Sequence, residues 1–229
     1  MTQIRRHFHD DLVILHQDVS RLSALASEAI QAATAALLDF DLAEAQAVVG
    51  ADVALDDLTH DMEERVVLLL ARQQPMAKDL RELITTLRVT HELERIGDLM
   101  VNVAKATRRL YPIAIEPRLR GLIDRMREQA TIQLSVASEA FAARDPARAR
   151  ALSDMDDVMD DLQKELFRTI FTGGGNDDAA LQRAVQLALV GRYFERVADH
   201  AVNIGDRVTF MVTGEPLDAN RGDDPDLEH

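Results

Sequence analysis

The chain has 229 residues, 47% of them hydrophobic, with no Trp, no Cys and a formal net charge of −14. That length suits one large domain or two small ones with a real core. The acidity counts against non-specific nucleic-acid binding and against anchoring on anionic lipid. The lack of Cys removes disulfides and thiolate metal sites, and it fits a reducing cytoplasm.

The N-terminus carries no apolar signal stretch, because Arg5, Arg6, Asp10 and Asp11 surround the candidates. No run of about 18 apolar residues occurs, so no membrane span is expected. The apolar residues are mainly Ala, Leu and Val, a helix-favouring palette. Their spacing is near 3.6, as in Val89, Leu93, Ile96, Met100 and Val103. It predicts six helices, about 8–39, 42–72, 76–110, 117–143, 146–171 and 178–213. The fold class read from this is all-α.

The boundaries have their own signals. Asp41-Leu42-Ala43-Glu44 is an N-cap with an acidic third residue. Asp145-Pro146 is an N-cap followed by Pro at the first helical position. Pro75, Pro112, Pro117, Pro146, Pro216 and Pro225 all fall where a helical pattern starts or stops. Gly173-Gly174-Gly175-Asn176 reads as a loop. Residues 215–229 are polar and acidic, and predict a disordered tail. Within it, Leu227-Glu228-His229 resembles the remnant of a purification tag.

One polar string is written twice. Glu94-Arg95-Ile96-Gly97-Asp98 with Asn102 returns as Glu195-Arg196-Val197-Ala198-Asp199 with Asn203. Asp52, Asp56 and Asp57 likewise match Asp156, Asp160 and Asp161. The chain is therefore two copies of one unit, 1–114 and 115–214, each a three-helix bundle. In each copy two helices carry carboxylates at i and i+4, on one face. Such pairs repel, and a hard multivalent cation would reverse the sign. Asn102 and Asn203 extend the stripe, and Arg95 and Arg196 either pair with neighbouring acids or hold an anion or partner. The stripe lies off the apolar ridge, so it is expected to face solvent or a shallow groove.

Catalytic patterns are missing. No Glu is followed three residues later by His, as a ferritin-like di-iron site requires. His91 and His200 occupy unmatched positions and read as surface residues. The Gly173 run lacks Lys and follows no strand, so it is no phosphate-gripping loop. Two other readings stay open beside a metal-bearing adaptor: a carboxylate-bridged metal-dependent hydrolase or oxidase, and a metal-free structural helical dimer.

The duplicated Glu-Arg-x-x-Asp…Asn strings resemble the PhoU family, accessory regulators of phosphate-specific transport. Arg72-Gln73-Gln74-Pro75-Met76-Ala77-Lys78-Asp79-Leu80-Arg81 and the two Asp pairs support the likeness, which covers about residues 8–213. Phe210-Met211-Val212-Thr213-Gly214 is similar to the actinobacterial branch. The resemblance implies a cytoplasmic, non-enzymatic homodimer. Its implied partners are subunits of the phosphate ABC transporter and a sensor histidine kinase, with phosphate uptake and phosphate-regulon signalling held down. It also implies bound metal ions, of which Mg, Mn, Zn and Fe are all open. Carried over by position, the metal residues are Asp52, Asp56, Glu94 and Asp98, then Asp156, Asp160, Glu195 and Asp199. Ala198 departs from the glycine supplied by Gly97 in the first half.

Overall fold

The computed structural model describes residues 3–173 and 177–215, with side chains from residue 7 onward. Six helices account for nearly all of it: α1 (Gln3–Asp39), α2 (Leu42–Gln73), α3 (Lys78–Leu110), α4 (Pro117–Ala143), α5 (Pro146–Gly173) and α6 (Asp178–Thr213). Among the described residues there is no strand. The 37 residues of α1 span about 55 Å at 1.5 Å per residue. The body is therefore an elongated bundle.

The capping signals work as read. Asp41 Oδ1 accepts hydrogen bonds from the backbone N–H groups of Ala43 (2.9 Å) and Glu44 (3.0 Å). Asp145 Oδ1 does the same for Ala147 (2.9 Å) and Arg148 (3.1 Å). Each satisfies donors that a helix N-terminus leaves orphaned. Three boundaries differ from expectation by two residues or more. Helix α1 starts earlier, at Gln3. Helix α3 starts at Lys78 rather than residue 76, because Ala77 sits at φ +49. Gly173 closes α5 instead of opening a loop, and residues 174–176 lie outside the described residues. The expected tail, apart from Glu215, also lies outside them.

Each half is a three-helix unit: α1, α2 and α3, then α4, α5 and α6. The halves join through α3 on α6 and α1 on α4, which leaves α2 and α5 as outer helices. Both joining pairs run antiparallel. Glu92 meets His200 and Thr85 meets Arg207 on one seam. Gln31 meets Thr131 and His16 meets the Phe141 ring on the other. The halves are thus related by a local two-fold through the seams. Leu, Ile, Val, Ala and Met from all six helices form one continuous core, and this fixes α2 against α3 and α5 against α6.

Candidate functional site: paired carboxylate clusters

The α2–α3 groove gathers Asp52, Asp56, Glu94 and Asp98. Burial raises the Asp52 carboxyl to about 6, helped by the like charges of Asp56, Asp98 and Glu94 and opposed by Lys105. The Glu94 carboxyl is also raised, first by burial and then by Asp98. The two helices approach closely here at Gly97. A Cβ on that residue would lie 2.9 Å from Leu55 Cδ1 and 3.2 Å from Asp52 Oδ1. The glycine therefore lets Asp52 reach the α3 carboxylates.

The α5–α6 groove gathers the second set. Asp156 is raised to about 6 by burial, then by Asp199 and Asp160, with Gln133 acting in the opposite sense. Glu195 and Asp199 are both raised, in each case first by burial. All eight carried-over carboxylates thus assemble into two clusters, one per half.

Along the stripes Asp56 is exposed and Asp98 partly so, whereas the two glutamates are withdrawn into the grooves. Glu94 and Glu195 side chains are only 21% and 12% exposed, because the helix hairpins close over them. Glu94 Oε2, Asp156 Oδ1 and Glu195 Oε2 are buried without a hydrogen-bond donor. Buried acceptors lacking a donor are costly. The clusters hold carboxylate charge that the protein itself leaves under-compensated.

Compensation is partial and differs between halves. Arg95 Nη1 lies 3.0 Å from Asp98 Oδ2, and His91 Nδ1 lies 3.6 Å from Glu94 Oε2. In the second half Arg192, not Arg196, forms the close ion pair with Glu195. Arg196 is exposed and acts on Asp199 only through its charge. Asn102 is half-buried one turn beyond Asp98. Asn203 instead turns to the seam, where Nδ2 donates to Glu92 Oε2 at 3.3 Å.

That seam contact escapes a reading based on the repeat. Glu92 Oε2 also lies 2.7 Å from His200 Nδ1, and both side chains are at most 15% exposed. Despite burial, these partners hold the Glu92 carboxyl below its usual range. His200 is accordingly a seam residue, not a surface one. It follows Asp199 directly, and Glu92 lies two residues before Glu94, so the bond links the two clusters. Burial works to raise a second acid, Glu82 of α3, but His16 of α1 and Arg144 at the end of α4 hold it low. Neither acid is repeated, since Glu92 and Glu82 correspond to Tyr193 and Arg183. Only the pairing of unrepeated charges could have found them.

The donors are carboxylate oxygens, which suit hard cations such as Mg or Mn, and also iron. Zn accepts carboxylate too but commonly takes N and S ligands. Among the described residues, no three acidic or His side chains already converge as a finished metal cage. The buried oxygens fit a cation nonetheless, since Glu94 Oε2 has only His91 and Arg95 at 3.6 Å and Glu195 Oε2 has no close donor. Among the described residues no helix is long and apolar enough to cross a membrane.

The PhoU domain model matches residues 19–107 and 123–208. A phosphate-specific transport system accessory protein PhoU homolog of Rhizobium meliloti is 31% identical over 217 residues, covering 95% of this chain and 92% of that protein. PhoU homolog 1 of Mycobacterium tuberculosis is 36% identical over 212 residues, covering 92% and 95%. The crystal structure of PhoU from Pseudomonas aeruginosa superposes with a TM-score of 0.85 at 29% identity, covering 91% of this chain and all of that one. The phosphate transport system regulatory protein PhoU from Streptococcus pneumoniae gives 0.83 at 26% identity, covering 91% and 98%.

Proposed function

The chain belongs to the PhoU family, and from that premise we propose that it is a non-enzymatic accessory regulator of phosphate transport. It holds down phosphate uptake and phosphate-regulon signalling when phosphate is plentiful. It acts in the cytoplasm, as a homodimer, by contact with subunits of the phosphate ABC transporter and with a sensor histidine kinase. The observation that carries this reading is the duplicated carboxylate cluster, built into a chain whose relatives are named for phosphate transport. The long helices offer extended contact faces.

Metal belongs to the same reading. Asp52, Asp56, Glu94 and Asp98 would hold one set of ions, and Asp156, Asp160, Glu195 and Asp199 another. A bound cation would supply charge neutralisation and a bridge to acidic or phosphorylated partner groups. The protein's own residues would set its place: Gly97 lets α2 approach α3, and Arg95 and Arg192 pair with Asp98 and Glu195.

Elemental analysis tests the metal, comparing wild type with the quadruple variant Asp56→Asn, Asp98→Asn, Asp160→Asn, Asp199→Asn. Wild type is expected to carry one or more equivalents and the folded variant none. Equal metal content in the two would remove the clusters from the account. Regulation is tested in cells lacking this chain and grown in ample phosphate. Alkaline phosphatase and phosphate uptake should rise and return to low levels when the wild-type chain is restored. Unchanged levels in those cells would refute the regulatory role.

A further inference from the structure

The first half contains a groove for which the reading above has no use. It is a cavity of about 290 Å³ between α1 and α2, with Gly97 and Val101 of α3 beneath it. Its walls are narrow and apolar: Ala29 and Ala32 from α1, Ala51 and Leu55 from α2. Three carboxylates, Glu28, Glu44 and Asp52, line it, and no basic side chain does. At roughly 30 Å³ per water, the volume suits about ten non-hydrogen atoms.

The second half carries larger side chains where the first has its alanine walls. At the corresponding places it carries Gln133 for Ala29, Val136 for Ala32 and Met155 for Ala51. Gln133 is completely buried. Gln129 Nε2 donates to the Met155 carbonyl at 2.8 Å, tying α4 to α5 across this space. The acidic rim is also undone there, with Ile132 for Glu28 and Arg148 for Glu44. Size and charge therefore diverge together at one place in the repeat, in the direction of an open, anionic slot.

We propose that this groove binds a slender organic cation, a linear aliphatic di- or polyamine. Its methylene chain lies on the alanine walls and its ammonium groups meet Glu28, Glu44 and Asp52. A bare metal ion gains nothing from the apolar walls, and a neutral lipid gains nothing from three carboxylates. An aliphatic polyamine uses both. The site goes beyond the proposed function, although Asp52 is common to the groove and the first carboxylate cluster.

The test is calorimetric titration of the full chain, stripped of metal and dialysed free of chelator, with spermidine. Hexaamminecobalt(III), a compact cation of the same charge, is the control. The expected result is one saturable spermidine site, at least about tenfold tighter than the control, a difference of about 1.4 kcal/mol. Methyl resonances of Leu25, Val48, Leu55 and Val101 should shift. The variant Ala29→Gln/Ala51→Met installs the second half's residues and should lose the site by at least about tenfold. Glu44→Arg, an exposed change that mirrors Arg148, should weaken it similarly and guards against a packing failure in the first variant. Equal affinity for the cobalt complex, unchanged binding in either folded variant, or no saturable site up to about 10 mM overturns the proposal. The groove methyl shifts report the groove and metal content reports the clusters, so failure of the one leaves the other standing; the quadruple variant keeps Glu28, Glu44 and Asp52, and its loss of metal leaves the groove untouched.

Discussion

The two halves carry the same carboxylates on differently pinched hairpins. In the first, α2 meets α3 at the cluster itself, through Gly97. In the second, α6 meets α5 on either side of the cluster, through Gly191 and Gly205, with Ala198 at the cluster. Behind Asp52 lies an open alanine groove, and beside Asp156 lies buried Gln133. The duplicated chemistry has been kept while its support diverged. The second hairpin is pinched at two glycines that flank its cluster, with larger side chains behind it, and the first is pinched at the cluster itself with space behind it.

The largest effect expected from breaking this comparison is at Gly205. A Cβ there would lie 2.7 Å from the Ala149 carbonyl oxygen, which is backbone and cannot rotate away. Its first-half counterpart is already Ala104. Gly205→Ala should therefore cost about 3 kcal/mol by overpacking. For a chain of this size that is roughly 6–12 °C in Tm. A fall below about 2 °C by calorimetry would mean that α5 can retreat and is not clamped.

Next comes the bond that joins the clusters. His200→Ala leaves the buried Glu92 carboxylate with the Asn203 amide and the charge of Arg207 beside it but without its closest partner. The expected cost is about 2 kcal/mol at neutral pH. Glu92 is held below its usual range, so the stability it contributes is present above the unfolded pKa and is lost as pH falls through the folded one. The difference between wild type and His200→Ala should accordingly shrink in strong acid. A difference independent of pH would assign the loss to packing alone.

Asp52 and Asp156 predict the opposite sign. Each is raised from 3.8 to about 6, so the folded state keeps a proton that the unfolded chain releases. Their contribution favours folding below about pH 4 and is lost as pH rises through about 6. In metal-free protein at pH 7.5, Asp52→Asn and Asp156→Asn should therefore stabilise. Screening at these part-exposed sites limits the gain to about 1 kcal/mol each. Thermal melts that show destabilisation would mean that these carboxylates are already neutralised within the fold.

What could be read in advance follows from what repeats. The helices were legible because burial imposes a 3.6-residue period, and Asp41 and Asp145 mark starts through local hydrogen bonds. The carboxylate clusters were legible because the repeat itself is polar. Glu92–His200 and Glu82–His16–Arg144 were not, since each depends on which helices cross and at what level. Helix α3 begins two residues late because Ala77 takes a left-handed φ that composition does not reveal. The half-burial of Glu94 and Glu195 was missed because a helical wheel of one element cannot show a neighbour closing over its polar edge.

Gly97→Ala gives the smallest change in stability and the sharpest reading of the comparison. The added Cβ meets Leu55 Cδ1 and Asp52 Oδ1, both side-chain atoms able to give way, so the cost should be about 1 kcal/mol or less. Ala198 shows that the fold accepts alanine at this register. The displaced group, however, is the Asp52 carboxylate. Metal titration of Gly97→Ala should weaken binding at the first cluster while the second keeps its wild-type affinity. If both weaken together, the clusters act as one unit through the Glu92–His200 bond, and the independence of their supports is lost. If neither weakens, Asp52 is not held in place by the α2–α3 contact, and the divergence around Gly97 serves the groove rather than the cluster.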